Sequence, residues 1–178
     1  MEIKTAAELL DDGVRARWEE RGAIDLPARR VLAAVLSHVV DQGDAPDVQD
    51  VASLVPELSA HDIEAALQRL DAADLLLLED ARVTLAYPFA ARPTAFEVVL
   101  LRDGARRWAC CAIDALGIPA MLDEPARIES RCHDCGEPLV IAVAPSGPTA
   151  LDGTVPDPGI MVWVGERQQL RAKACDAL

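Results

Sequence analysis

The apolar residues of this chain change their repeat once, and that change limits the folds open to it. Val31, Leu32, Val35, Leu36, Val39 and Val40 recur at helical spacing, and Ile63, Leu67 and Leu70 do the same further on. Two short strand-like runs follow, residues 75–78 and 82–87, joined by Glu79-Asp80-Ala81. A period near 3.6 puts side chains on one face of a helix, whereas strand residues alternate between faces. Pro27 suits a first helical position, and Gln42-Gly43-Asp44 breaks the pattern. Residues 47–54 form a short helix, and Ser59 with Asp62 marks the start of the next. Upstream, residues 5–21 also read as a helix. Thr5 and Glu8 form a capping-box pattern there, Leu9, Leu10, Val14 and Trp18 an apolar stripe, and Gly22 the end. Three helices followed by a hairpin is the order of a winged helix-turn-helix.

The pattern then changes character. Residues 87–93, with Pro88 and Pro93, read as a linker, which puts a domain boundary near residue 90. Residues 95–101 read as a strand, Asp103-Gly104 as a turn, and 107–116 as a short helix ended by Gly117 and Pro119. Residues 126–131 and 138–144 read as an antiparallel pair, 145–158 as a loop, 159–164 as a last strand and the remainder as a polar helix. The expected fold is therefore α+β. A winged-helix-like helical domain over 1–90 precedes a small mixed or antiparallel sheet domain with short helices over 91–178.

Charge argues against one function that the first half suggests. Between residues 23 and 90 there are 12 acidic and 4 basic residues, and the whole chain carries a net charge of −13. The helix over 60–72 offers Arg69 as its sole basic residue against Asp62, Glu64 and Asp71. A groove-reading helix needs cations near phosphates and polar side chains aimed at bases. Nucleic acid is thus not an expected partner, and an anionic membrane surface is repelled equally. No apolar run approaches the length needed to span a bilayer, and the first residues show no secretory pattern. The expected location is the cytoplasm.

The five cysteines are all late: Cys110, Cys111, Cys132, Cys135 and Cys175. In a cytosolic chain such clustering suggests metal binding or thiol chemistry rather than a disulfide framework. If 107–116 is helical, Asp114 lies three residues from Cys111 and four from Cys110, so either thiol can sit beside the carboxylate. Trp108, Cys111, Ala112, Ala115 and Leu116 then form the apolar stripe, which turns Cys111 inward and Cys110 to the side. A helix N-terminus, with Arg106 and Arg107 preceding it, would favour thiolate. The bland alternative is a buried cysteine and an exposed aspartate on an ordinary amphipathic helix. Cys132-His133-Asp134-Cys135 is half of a zinc knuckle, and no second such pair exists. Two or three thiolates suit a soft metal better, although the same set admits zinc or copper. His38 reads as a core-edge residue and His61 as solvated.

Against this background, Trp108-Ala109-Cys110-Cys111-Ala112-Ile113-Asp114-Ala115-Leu116 resembles the aromatic-x-x-Cys-Ala-Leu-Asp-x-Leu segment of the organomercurial (alkylmercury) lyase family. Pro119-Ala120 after it is similar too. Ser130-Arg131-Cys132 with Gly136-Glu137-Pro138 resembles that family's Ser-x-Cys-x-x-x-Gly-x-Pro turn, and Tyr87-Pro88-Phe89 and Arg92-Pro93-Thr94 also resemble its members. The resemblance runs from about residue 24 to 165. It implies capture of R–Hg⁺ by two thiolates and proton delivery to the departing carbon by a carboxylate, with no organic cofactor and with mercury as substrate and product. By position it makes Cys111 the first catalytic cysteine, Asp114 the acid/base and Cys132 a structural or auxiliary thiol. Cys175 becomes the second catalytic cysteine.

Typical members continue beyond that second cysteine, so a partner subunit in a homodimer is one expected cover for the site. Cys110 and Cys135 are extra thiols relative to the family pattern. They could replace Cys175 beside Cys111 or hold another metal. The expected partners are a small organometallic substrate and low-molecular-weight thiols. Two other readings remain open: a non-catalytic soft-metal-binding protein of the same fold, and an acidic winged-helix metal-responsive regulator.

Overall fold

The computed structural model describes residues 23–148, together with the isolated position 19. The helix expected over 5–21, the last strand, the C-terminal helix and Cys175 lie outside the described residues.

Helix α1 spans Leu26–Gln42. Asp25 caps it by accepting a hydrogen bond from the Ala28 amide at 2.9 Å, and Pro27 occupies its first turn. It stops at Gly43, whose φ of 91° is left-handed and whose amide donates to the Val39 carbonyl. Helix α2 is short, Val48–Leu54, and Asp47 ahead of it pairs with Arg82 at 3.1 Å. Helix α3, Ala60–Ala72, begins at Ser59, whose hydroxyl donates to the Asp62 carboxylate at 2.7 Å and accepts from the Asp62 amide. Arg69 of α3 forms an ion pair with Asp25, which joins the two longer helices. Their apolar stripes meet in a core of Val31, Val35, Ile63, Leu67 and Leu70, closed by Leu76 and Val83.

The rest is one antiparallel sheet. Its strands are β1 (Leu76–Glu79), β2 (Arg82–Ala86), β3 (Phe89–Ala90), β4 (Glu97–Leu100), β5 (Arg106–Ala109), β6 (Ala126–Arg131), β7 (Pro138–Ala144) and β8 (Gly147–Pro148). Their spatial order is β1-β2-β3-β5-β4-β6-β7-β8, and every pairing is antiparallel. Among the described residues the remaining helix, α4, spans Ala112–Leu122. The observed class is α+β, helices first and an antiparallel sheet with a short helix after them.

Four local expectations need correction. The loop expected from residue 145 begins with strand β8, whose Gly147 and Pro148 pair with Ala144 and Val143 across a tight turn. Residues 87–93 are not a plain linker, because Phe89 and Ala90 form a strand that bonds to β2 on one side and β5 on the other. Phe89 is buried to 1 % exposure, so the Pro-flanked segment carries a core residue. Residues 107–116 are not one helix. Arg106 to Ala109 pair with strands on both sides, with Glu97 opposite Trp108 and Val98 opposite Arg107. Two partner strands outweigh the modest helical preference of Arg-Arg-Trp-Ala. Finally, Gly117 and Pro119 do not end the helix. Pro119 lies inside α4 and is fully buried, so apolar burial offsets the one helical hydrogen bond that it cannot donate.

A second core forms on the covered face of the sheet. Val98, Leu100, Ala109, Ala126, Ile128 and Val143 pack there with Ala115 and Ile118 of α4 and with Val39 of α1. Helix α1 therefore contributes to both cores. Arg107 reinforces this link. It is 6 % exposed, and its Nε donates to the Val40 carbonyl at 2.9 Å while its Nη2 donates to the same oxygen.

Candidate active site

The register places four thiols at one end of the sheet. Strand β5 ends at Ala109, and Cys110 and Cys111 come next; β6 ends at Arg131, and Cys132 comes next. The N-terminal end of β4 lies between these two strands. Cys110, Cys111, Cys132 and Cys135 are all free of disulfides.

Cys111 is the N-cap of α4. Its backbone is extended (φ −149°, ψ 177°), and its Sγ accepts a hydrogen bond from the Asp114 amide at 3.5 Å. An N-cap side chain turns back over the first helical turn, so the sulfur and the Asp114 residue meet by capping geometry rather than by sharing a helix face. Cys110 lies before the helix, and the three- and four-residue spacing rule does not apply to it. Its amide donates to the Pro88 carbonyl at 3.0 Å, which ties the thiol pair to the segment before β3.

The thiolate expectation is also corrected. Burial pushes the Cys111 thiol up to about 11, and the neighbouring Asp114 carboxylate adds to this by charge and by accepting from the thiol. The Asp114 amide works in the opposite direction and does not prevail. Neither arginine aims at the sulfur to oppose this. Arg106 pairs with Glu97 at 2.6 Å and Glu129 at 3.5 Å on the open face of the sheet, and Arg107 is spent on Val40. At neutral pH Cys111 holds its proton next to a carboxylate able to take it.

Thr94, which the spacing argument passed over, braces the end of β5 just before this pair. Its hydroxyl donates to the Ala109 carbonyl at 2.7 Å and accepts from the Phe96 amide at 3.1 Å. Its sequence signals were the Arg92-Pro93-Thr94 resemblance and a threonine able to form a local side-chain turn after Pro93. Thr94, Glu97, Trp108, Glu129 and Val140 help to line an open cleft of about 390 Å³ on this end of the sheet. Trp108 belongs to that cleft as a strand residue rather than to a helical stripe.

Cys132 sits at the tip of the β6–β7 hairpin. The amides of Cys135 and Asp134 and the Cys135 side chain all favour its thiolate form. Among the described residues no three His, Cys, Asp or Glu side chains gather as a metal site. The two thiol pairs are thus not merged into one cage, and a zinc or copper centre built from them finds no support. His38 lies at the rim of α1, 3.7 Å from an Asp44 oxygen, and His61 is exposed.

Residues 89–178 match the model of the alkylmercury lyase family, so the chain belongs to that family. An alkylmercury lyase of Bacillus cereus is 31 % identical over 111 residues, covering 62 % of this chain and 48 % of that protein. One from Pseudomonas putida is 43 % identical over 53 residues, covering 30 % of this chain and 23 % of that protein. The chain thus spans less than half the length of these relatives in the matched regions. The crystal structure of the mercury-bound form of MerB2 shares the fold, with a TM-score of 0.63 and 19 % identity over 79 % of this chain and 67 % of that one.

Proposed function

We propose that this protein cleaves carbon–mercury bonds by protonolysis, with Cys111, Asp114 and Cys175 as its catalytic residues. The observation that carries the reading is the Cys111 sulfur capping α4 and accepting from the Asp114 amide, which sets thiol and carboxylate side by side. Capture of R–Hg⁺ forms a sulfur–mercury bond and displaces the thiol proton, which passes to the Asp114 carboxylate. A second thiolate, Cys175, completes the pair on the metal and weakens the carbon–mercury bond. The electron pair of that bond then takes the proton from Asp114. Hydrocarbon R–H leaves, and Hg²⁺ stays on the two sulfurs until small thiols remove it. One proton thus moves from sulfur to carbon through one carboxylate, which needs no organic cofactor.

The three-helix unit with the β1–β2 hairpin is read as a winged-helix-like scaffold. The division at about residue 90 is proposed as a division of packing, supported by the two cores. We place the protein in the cytoplasm; none of the described helices is long and apolar enough to cross a membrane. A homodimer could cover the open side of the site.

The test is turnover of a simple alkylmercury salt with excess monothiol, following hydrocarbon and Hg²⁺ together. The expected result is catalytic release in the intact chain and none in Cys111→Ser. Stoichiometric metal binding without hydrocarbon would replace this reading with that of a soft-metal-binding protein.

A further inference from the structure

The hairpin tip between β6 and β7 is built more tightly than a plain connection requires. The Cys132 amide donates to the Glu137 carbonyl at 2.8 Å, and the Gly136 amide donates to the Cys132 carbonyl at 2.9 Å. Gly136 takes a left-handed φ of 73°, which closes the turn. Arg131 Nη1 adds a hydrogen bond to the Gly136 carbonyl at 3.2 Å, and strand pairing runs up to Arg131 opposite Pro138. Within this frame the peptide groups of Asp134 and Cys135 and the Cys135 side chain favour the Cys132 thiolate. Cys132 is half-buried and Cys135 exposed, so the pair faces solvent.

We propose that Cys132 and Cys135 form a second metal site, which binds one soft d¹⁰ cation between two thiolates in two-coordinate geometry. Three observations lead there. The backbone frame exists without metal, so binding orders little further chain. The donors are two sulfurs three residues apart on one closed turn, and metal–sulfur bonds of about 2.3 Å need only rotation of side chains of which Cys135 is exposed. No third His, Cys, Asp or Glu joins them among the described residues, which disfavours zinc, a cation that seeks four ligands in structural sites. A cation satisfied by two soft ligands is the remaining class. Binding a divalent ion releases both thiol protons to solvent and forms two sulfur–metal bonds, with no oxidation. On the lyase reading, an ion leaving Cys111 would meet this pair at the same end of the sheet, but the binding itself does not depend on that reading.

The experiment uses the reduced full chain in which Cys110, Cys111 and Cys175 are changed to Ser. Mercuric ion is titrated against a competing monothiol, and bound metal is counted by native mass spectrometry, with zinc ion titrated in parallel. The expected result is one mercury per chain and no zinc under the same competition. Adding Cys135→Ser should weaken mercury binding by about 10²–10⁴-fold, the gain usually conferred by tethering a second ligand. Unchanged affinity in that variant, or equal retention of zinc, would overturn the two-coordinate site. A second measurement does not depend on the triple variant folding. In the wild-type chain, saturating mercuric ion should protect both Cys132 and Cys135 from iodoacetamide, read by peptide mass. Full-rate alkylation of either thiol under saturation would equally overturn it. Lyase activity enters neither measurement, so failure of the lyase reading leaves the result interpretable.

Discussion

Cys111 shows how far a single residue departs from what its neighbours in sequence suggest. Two arginines precede it, yet both are committed elsewhere, and burial keeps the thiol neutral. Below its pKa a thiol gains thiolate about tenfold per pH unit. Alkylation of Cys111 should therefore climb steadily from pH 7 to 10 without levelling, because the midpoint lies near 11. A plateau near pH 8, measured by mass-resolved labelling, would contradict the buried neutral thiol. In the proposed mechanism, Asp114→Asn removes the group that takes and returns the proton while keeping the shape. It should lower hydrocarbon release by about 10²–10⁴-fold, the usual worth of a positioned acid or base, with mercury binding retained. Rapid-quench measurement of hydrocarbon beside a binding titration separates the two effects. The juxtaposition of Cys111 with Asp114 was legible from three-residue spacing, but for an imperfect reason. The spacing anticipated a shared helix face, whereas the contact arises because Cys111 caps the helix.

At the scale of elements, legibility followed periodicity. Helices α1 and α3 carry long apolar stripes with Asp25 and Ser59 at their starts, and their expected extents agree closely with the structure. The strands β6 and β7 were equally plain. What stayed hidden were β3, β5 and β8, two, four and two residues long. Strands that short contain too little alternation to read, and their pairing is decided by neighbours distant in sequence. Gly43 gives a test of the junction between helix and sheet. A Cβ there would sit 3.2 Å from an Arg107 guanidinium nitrogen, on a residue that needs a left-handed φ. Gly43→Ala should cost about 1–2 kcal/mol from the helix cap and the displaced side chain, read as a shift in the urea midpoint. Arg107→Met removes the donors to the half-buried Val40 carbonyl, and should cost about 1–3 kcal/mol. The two changes should be less than additive, since each disturbs the same contact.

Across the whole molecule, two cores share one helix and one sheet. Leu36 and Ala45 pack against both clusters, and β3 hydrogen-bonds to strands on either side of residue 90. The proposed packing boundary therefore does not predict independent melting. Tryptophan fluorescence and far-UV circular dichroism should give coincident urea transitions for the full chain; separated midpoints would show two folding units. The sequence made both the helical half and the thiol-bearing half visible, but not their join, because no local pattern announces that Arg107 reaches across 67 positions to Val40. That hydrogen bond has a genetic consequence. Cys110 and Cys111 follow Arg107 by three and four positions, so substitutions at 39–43 bear on where the thiols stand. If the proposed reaction holds, a screen for restored hydrocarbon release in a weakened Arg107 variant should return second-site changes in the last turn of the first helix, far along the chain from the sulfur they reposition.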